Sequence, residues 1–359
     1  MSASGTEPTA GSTPDAVVAE TEPAGAPGEP LDVVPVFQRL LERIGQFWTL
    51  GVLILLIIAF GIAAPSLYTK QAWLSTSQYA VEYLILAIGQ TFVIITAGID
   101  LSVGAMLGFS GMAGAILAQH MLGVHDGSTL TTIVTILVML GAGTGLGLIN
   151  GLLITRINLP PFIVTLGSLT GITGGINLLN NGNEVATLPA PINALGTDSV
   201  LNGWLPLEVL IAIVLAIVFG FILARTRFGL RTYAIGSNVI ATRRAGIRVD
   251  RHLVWVYTLT GFLAGVAGLM VTANLSTASP INGMNDELYA IAAVFIGGAS
   301  IFGGTGTIFG TVIGTAILSV LTTGLVLVNV QPFWQQVAIG AVVIIAVAVD
   351  RIRAKAGTD

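Results

Sequence analysis

Carboxylates inside long apolar stretches are the residues of this sequence whose chemistry most needs explaining. Asp100 stands in GIDLSVG (98–104), within a hydrophobic field that runs from Ala80 to His120, and Glu82 lies near the start of that field. Ionisable residues at membrane depth are costly and often mark ion, proton or substrate sites. Among the candidate roles of Asp100 are a helix cap, a contact at an inner gate and a site for ion coupling.

Catalytic and metal-binding patterns are absent from the sequence. It has no cysteine, and none of its three histidines stands in an H-E-x-x-H pattern. No G-x-S-x-G elbow occurs. GGTGTIFG (303–310) lacks the glycine spacing of a dinucleotide loop, and no Gly-Lys-Ser/Thr is present to form a phosphate-binding loop. We therefore expect no catalytic residue, no metal site, no cofactor and no ATP hydrolysis by this chain itself.

The composition is that of a membrane protein. Of the 359 residues, 54% are hydrophobic and 9% are charged, against roughly 25% charged in soluble domains. The net charge of −4 arises from six acids that precede Arg39, and the other 12 acids face 14 basic residues, so nothing suggests nucleic-acid binding. Residues 1–36 are rich in Pro, Gly, Ala and acids and have no run that could pack, which predicts a disordered tail.

Apolar runs long enough to cross a bilayer recur along the rest of the chain. A hydrocarbon core about 30 Å thick needs about 20 helical residues. The sequence predicts an all-α polytopic membrane helix bundle of about ten transmembrane helices, in a domain at 37–352 followed by a tail at 353–359. The predicted spans are 47–65, 79–99, 101–120, 129–152, 160–180, 206–224, 253–275, 287–303, 306–328 and 332–350.

Basic residues orient these spans. Lysine and arginine in short loops mark the cytoplasmic side. Arg39 and Arg43 place the N-terminus there, and the C-terminus is placed there by Arg351, Arg353 and Lys355, which an even number of spans allows. The loop between the sixth and seventh spans, residues 225–252, holds seven arginines and falls on the same side. Lys70 alone falls outside.

Residues 225–252, called the arginine loop below, contain residues that typically begin and end a helix, which indicates an ordered structure. Asn238 is placed to cap a short helix through Ala241, Thr242, Arg243 and Arg244, and Gly246 is placed to end it. The sequence predicts an inward-facing docking surface. The alternative is a loop that only satisfies the orientation rule, although such a signal would not need this length or these caps.

Three segments resemble one known family. GQTFVIITAGIDLSVGAMLGFSG (89–111), RFGLRTYAIGSNVIATRRAGI (227–247) and ELYAIAAVFIGGASIFGGTGTIFGTVIG (287–314) are similar to the ribose-type permeases of bacterial ATP-binding-cassette (ABC) sugar importers. The similarity extends from about residue 45 to residue 352. It implies the membrane-spanning permease subunit of a binding-protein-dependent importer that moves a monosaccharide, a pentose or a related sugar, across the bacterial cytoplasmic membrane.

The resemblance also implies partners and a role for the arginine loop. A second permease copy, forming a homodimer, would complete the pathway, an extracytoplasmic sugar-binding protein would deliver the sugar, and two ATPase subunits would bind and hydrolyse ATP. The loop would supply the coupling helix, through Asn238, Ala241, Thr242, Arg243, Arg244 and Gly246. The family pattern of Glu-Ala-Ala and a later Gly is only partly kept, because Val239 and Ile240 occupy the acidic and first Ala positions.

Polar residues inside the spans are candidates for the sugar pathway, because a neutral polyol needs amides and hydroxyls without fixed charge. Each could instead make an interhelical hydrogen bond. Acids expected in the outer loops, among them Asp286 and Glu287, could receive a basic binding protein or be solvated. The pathway candidates are Gln90, Asn150, Ser168, Thr173, Asn177 and Asn274.

The segment GIDLSVG fits a turn between two spans. Each side of Asp100 holds about 20 apolar residues, which places Asp100 at the cytoplasmic end of both helices. Gly98 suits the end of one helix, and Asp100 can cap the next. Gly98, Asp100 and Ser102 thus form a structural cap or an inner gate, and Asp100 has the further alternative of contacting the ATPase.

Glycines four residues apart are the remaining pattern. The ridges are Gly143, Gly147 and Gly151; Gly167, Gly171 and Gly175; Gly261 and Gly265; and Gly306, Gly310 and Gly314. Such ridges predict tight helix packing, and some could let a pathway helix slide or bend.

Two rival functions remain open. One is a self-sufficient ion- or proton-coupled transporter in which Asp100 and Glu82 bind the coupling ion. The other is a receptor or structural membrane protein. The long arginine loop favours a machine driven by a partner.

Overall fold

The computed structural model describes residues 36–121, 129–186 and 188–356. The predicted tail at 1–36 lies outside them except for its last residue, and so do the final residues 357–359. The chain divides into two units, Met1–Glu42 and Arg43–Asp359. Residues 36–42 of the first unit are helical. Everything below concerns the second unit.

The described part of this unit is helical with one short hairpin, as Ser199–Val200 (β1) pairs antiparallel with Leu205–Pro206 (β2). Residues 65–68 form a 3₁₀ turn. The helices are α1 (Val36–Ala63), α2 (Lys70–Ile95), α3 (Val103–Met121), α4 (Thr129–Arg156), α5 (Pro161–Leu179), α6 (Ala190–Thr197), α7 (Leu207–Arg225), α8 (Arg227–Ser237), α9 (Val239–Arg244), α10 (Val249–Leu275), α11 (Asp286–Ile296), α12 (Ile308–Leu327) and α13 (Pro332–Ala356).

Six of these helices, α2, α4, α5, α7, α10 and α12, are long and apolar enough to cross a membrane, and α1 and α3 contain shorter apolar stretches. This finding confirms the all-α polytopic prediction, whereas the count of ten spans and the sides of the termini stay predictions. Arg156, Arg225 and the arginine loop lie at one end of the helices, called the arginine end below, and Lys70 and Trp204 lie at the other.

The centre of the bundle is formed by α2 and α10, whose side chains are buried over most of their length. Helix α4 packs along α10 with backbone against backbone. A Cβ atom added to Gly147 would lie 2.3 Å from the Tyr257 carbonyl oxygen, and one added to Gly143 would lie 2.4 Å from that of Gly261. Packing in lipid depends on such close approach, since little hydrophobic force acts between helices there.

Helix α11 departs from the sequence prediction. It has 11 residues instead of the predicted span 287–303, and a helix of that length is about 16 Å long, half of the hydrocarbon core. The preceding residues 276–285 fold inward without regular structure, and the backbone of Gly283 lies against Gly104 of α3. Irregular backbone is tolerated at membrane depth where protein surrounds it.

As a result, Asp286 and Glu287 are buried, with 7% and 5% of their surface exposed. Their prediction as outer-loop acids was therefore wrong, because the chain carries them inward before α11 begins. Asp286 lies against Glu82 of α2, and Tyr289 stacks on Tyr83 with ring centroids 4.6 Å apart. The first turn of α11 is thus fixed to the middle of α2.

Candidate functional site

The turn that holds Asp100 is folded back into the bundle. It connects α2, which ends at Ile95 and not at 99, to α3, which begins at Val103. Asp100 is fully buried, and the side-chain amide of Gln90 donates to its backbone carbonyl. Gln90 lies five residues before the end of α2, about 7 Å along the helix. Asp100 is therefore in a turn, as predicted, but deeper than an exposed helix end.

The carboxylate of Asp100 holds the residue that precedes α3. Its Oδ1 accepts from the backbone N–H of Ser102 at 2.9 Å and from the Ser102 hydroxyl at 2.6 Å. The carbonyl of Ser102 accepts from Met106 and begins the helix. Asp100 thus contacts the residue at the start of α3, and not the amides of the first turn that a direct cap would bind.

Ser102 continues into a chain of buried hydrogen bonds across three helices. The Asn150 amide on α4 donates to the Ser102 hydroxyl at 2.9 Å, and the Ser168 hydroxyl on α5 donates to Asn150 Oδ1 at 2.5 Å. Asn150 is 1% exposed, while Ser168 is half-buried. The structure therefore brings Gln90, Asn150 and Ser168 together around Asp100 and Ser102, an arrangement that spacing along the sequence does not indicate.

Helix α5 has an exposed face on which glycine, hydroxyl and amide groups lie among apolar side chains such as Leu166 and Leu178. A Cβ atom on Gly167, Gly171 or Gly174 would meet no atom within 4 Å. Thr173 and Asn177 are exposed on this helix, and their polar groups bond only carbonyls one turn back, those of Leu169 and Thr173. An open face that combines glycines, polar groups and apolar side chains is suited to a second protein surface or to a polar solute.

Asn274 lies apart from these residues, at the end opposite the arginine end. Its amide donates to Glu208 Oε1 at 2.7 Å beside a cavity of about 220 Å³ between α2, α7 and α10. Sequence reasoning missed Glu208, which is 2% exposed. The signal was present, because Glu208 is the one acid in the apolar helix α7. Gln78, Glu82, Glu208 and Asn274 share the cavity with apolar side chains, so its lining is partly polar.

The arginine loop has the local structure that its sequence predicts. Asn238 caps α9, with its side-chain oxygen accepting from Ala241 N–H at 2.9 Å, and Gly246 follows the helix at φ +79°. The Thr242 hydroxyl donates to the Ala234 carbonyl and joins α9 to α8. Val239 and Ile240 are exposed, and so are all seven arginines of the loop, of which Arg243 forms an ion pair with Asp250 at 2.8 Å.

Helix α8 contacts the end of α2 and the loop before α12. The Tyr233 hydroxyl donates to the Gly306 carbonyl at 2.7 Å, and burial raises the pKa of Tyr233, which keeps the hydroxyl a neutral donor. Gly304 N–H donates to the Ile95 carbonyl at 2.9 Å, and Gly236 of α8 abuts the same carbonyl. The arginine loop is therefore connected to the residue from which the Asp100 turn departs.

Comparison with known proteins gives a consistent set of similarities. Residues 73–347 match the family described as branched-chain amino acid transport system / permease component. The D-allose transport system permease protein AlsC of Escherichia coli is 36% identical, with 89% of this chain and 94% of that protein covered. The Ribose import permease protein RbsC of Bacillus subtilis is 38% identical, with 88% and 94% covered.

A third relative is named for another sugar, fructose. The Fructose import permease protein FrcC of Rhizobium meliloti is 34% identical, with 84% of this chain and 83% of that protein covered. No solved structure gives a significant match.

Proposed function

The chain belongs to the family of branched-chain amino acid transport system permease components, and from this premise we propose that it is the membrane-spanning permease subunit of an ABC importer for a monosaccharide. The names of relatives that cover most of both chains support a sugar as cargo. An ATP-driven importer whose membrane subunit has no phosphate-binding loop in its sequence needs a separate ATPase. We assign it ten spans, both termini in the cytoplasm, and the bacterial cytoplasmic membrane as its location.

The observation that carries the proposal is the ordered arginine loop. Helix α9 is capped at one end by Asn238 and ended by Gly246 at the other, and it is bonded to α8, which abuts the end of α2. Exposed Val239 and Ile240 offer an apolar tip, and exposed arginines surround it. A short rigid helix of this kind suits insertion into a groove of an ATPase subunit, whose closing movement would then reach the bundle.

Gly246 provides the test of this coupling role. Proline holds φ near −65°, which cannot replace +79°, whereas asparagine tolerates positive φ. Gly246→Pro should insert normally and lower ATP-driven uptake in proteoliposomes at least tenfold, with Gly246→Asn close to wild type. Normal uptake by the proline variant would overturn the coupling assignment.

The second proposed partner is another copy of the permease, with the open face of α5 between the two copies. Glycines with open space around them, and hydroxyl and amide groups that bond carbonyls of their own helix, fit a contact with a like helix and a path for a polyol. Because the sequence has no cysteine, Gly171→Cys can be cross-linked without removing native thiols. We expect rapid cross-linking between copies, and slow cross-linking for the control Gly141→Cys, which is also open but lies on α4.

Cargo and energy source are tested together in proteoliposomes that contain the permease, its ATPase and its binding protein. D-Ribose, D-allose and D-fructose are the first sugars to examine, since relatives bear those names. Uptake that depends on ATP and on the binding protein would support the proposal. The ion-coupled alternative, in which Asp100 and Glu82 bind the ion, predicts uptake under an ion gradient by the permease alone.

A further inference from the structure

The hydrogen-bond chain from Asp100 to Ser168 has a fixed direction. Ser102 N–H can only donate, so the Asp100 oxygen at 2.9 Å from it must accept. The Ser102 hydroxyl lies 2.6 Å from that same oxygen and points its single hydrogen there. This is the direction for the ionised carboxyl group of Asp100, in which both oxygens are acceptors.

The remaining links follow from the inventory of donors. A Ser102 hydroxyl that has donated its hydrogen can only accept from Asn150, which places the Asn150 NH₂ toward Ser102 and its oxygen toward Ser168. The Ser168 hydroxyl must then donate its own hydrogen to Asn150 at 2.5 Å. Only lone pairs of the Ser168 oxygen are left for anything that lies beyond it.

We propose that Asp100, Ser102 and Asn150 are positioning residues that make Ser168 an obligatory hydrogen-bond acceptor on α5, so that it selects a hydroxyl group of the passing sugar as donor. This inference rests on the proposed pathway along α5, where Ser168 lies beside the buried Ile172 and three residues before the open Gly171, at the edge of the open face. It assigns the buried carboxylate a task other than ion binding: Asp100 sets the direction of a chain whose outer end is half-buried. A solute that offers only acceptors at this position is disfavoured.

Fluorinated sugars test the direction, because fluorine in place of a hydroxyl cannot donate. The assembled importer in proteoliposomes is given D-ribose or D-allose and the series in which each hydroxyl in turn is fluorine. Wild type should take up one member of the series about two- to tenfold more slowly than the others, the size expected for one neutral hydrogen bond. The binding protein is the same throughout, so its own preference cancels between permease variants.

Variants of the chain separate positioning from simple structural support. Ser102→Ala frees Asn150 to turn and present its NH₂ to Ser168, whose hydroxyl can then donate; the penalty for that one analogue should shrink to less than about twofold. Ser168→Ala should remove the same penalty. Asp100→Asn keeps an acceptor oxygen toward Ser102 and should preserve it. Should Ser102→Ala not fold, Asn150→Leu removes the same link from the other side.

Each outcome of these measurements either supports or overturns the proposal. Loss of the penalty in Ser102→Ala with retention in Asp100→Asn supports the proposal. Equal penalties in all variants, or no penalty in wild type, overturn it while leaving the importer function intact. Absence of any ATP-dependent sugar uptake by wild type overturns the proposed function and the inference with it.

Discussion

Helices α4 and α5 carry glycines at the same spacing and place them in opposite surroundings. Gly143, Gly147 and Gly151 of α4 face the backbone of α10 so closely that a methyl group has no room. Among the described residues, none comes within 4 Å of a Cβ atom placed on Gly167 or Gly171 of α5. The spacing alone predicts close packing for both. The difference teaches that a glycine ridge indicates a partner helix, and that the partner can belong to another chain.

The strongest test of the comparison is a large side chain on the packed ridge. Gly147→Leu would place Cβ 2.3 Å from the Tyr257 carbonyl oxygen and within 3 Å of the Gly261 backbone. Backbone cannot move aside as a flexible side chain can, so the free energy of unfolding should fall by about 3 kcal/mol or more. Loss of folded protein in size-exclusion chromatography and a lowered melting temperature in detergent would show it.

The matched control is Gly141→Leu, on the same helix but with open space around it. It should fold, and its melting temperature should be no lower than that of wild type. Equal damage by both substitutions would mean that leucine disturbs α4 through something other than contact with α10.

The second test places leucine on the open ridge. Gly171→Leu meets nothing within its own chain and should leave the protomer folded. If α5 faces a second copy, the side chain should obstruct that contact, so we expect cross-linking between copies and ATP-driven uptake to fall by about tenfold or more. A folded variant with normal uptake would contradict the α5 interface.

A smaller effect is expected from the polar groups on the same face. Asn177 is exposed, and its amide bonds only the Thr173 carbonyl of its own helix. Asn177→Ala should leave folding unchanged and lower uptake by two- to tenfold, the range of one neutral hydrogen bond. Ile217→Ala, at an exposed apolar residue of another helix, α7, is the control and should transport like wild type. Equal rates for both would remove Asn177 from the pathway.

The smallest effect is expected from alanine at a glycine that faces neither α10 nor the proposed second copy. Gly145 of α4 has open space around it, and glycine within a helix costs up to about 1 kcal/mol relative to alanine. Gly145→Ala should therefore raise the melting temperature slightly without affecting uptake. A decrease would show that this side of α4 is also in contact with another molecule.

Much of the fold follows from local pattern. The apolar runs locate most helices, and the α9 cap is correctly predicted because Asn238, Ala241 and Gly246 act on their own neighbours. Helix α11 was mispredicted because its position depends on contacts of residues 276–285 with α3, far away in sequence. For the same reason no spacing rule could join Asn150 to Ser168 or Glu208 to Asn274. Individual polar residues were found; their pairings depend on packing.

The short helix α11 also has a consequence for how the protein is made. Its 11 residues and its two buried acids give it little ability to enter a membrane unaided. The groups that receive it, Glu82 and Tyr83 on α2 and Gly104 on α3, are synthesised about 200 residues earlier. Biogenesis is therefore ordered: α11 and the irregular segment before it become stable in the membrane only after α2 and α3 have formed a protein-lined place for them.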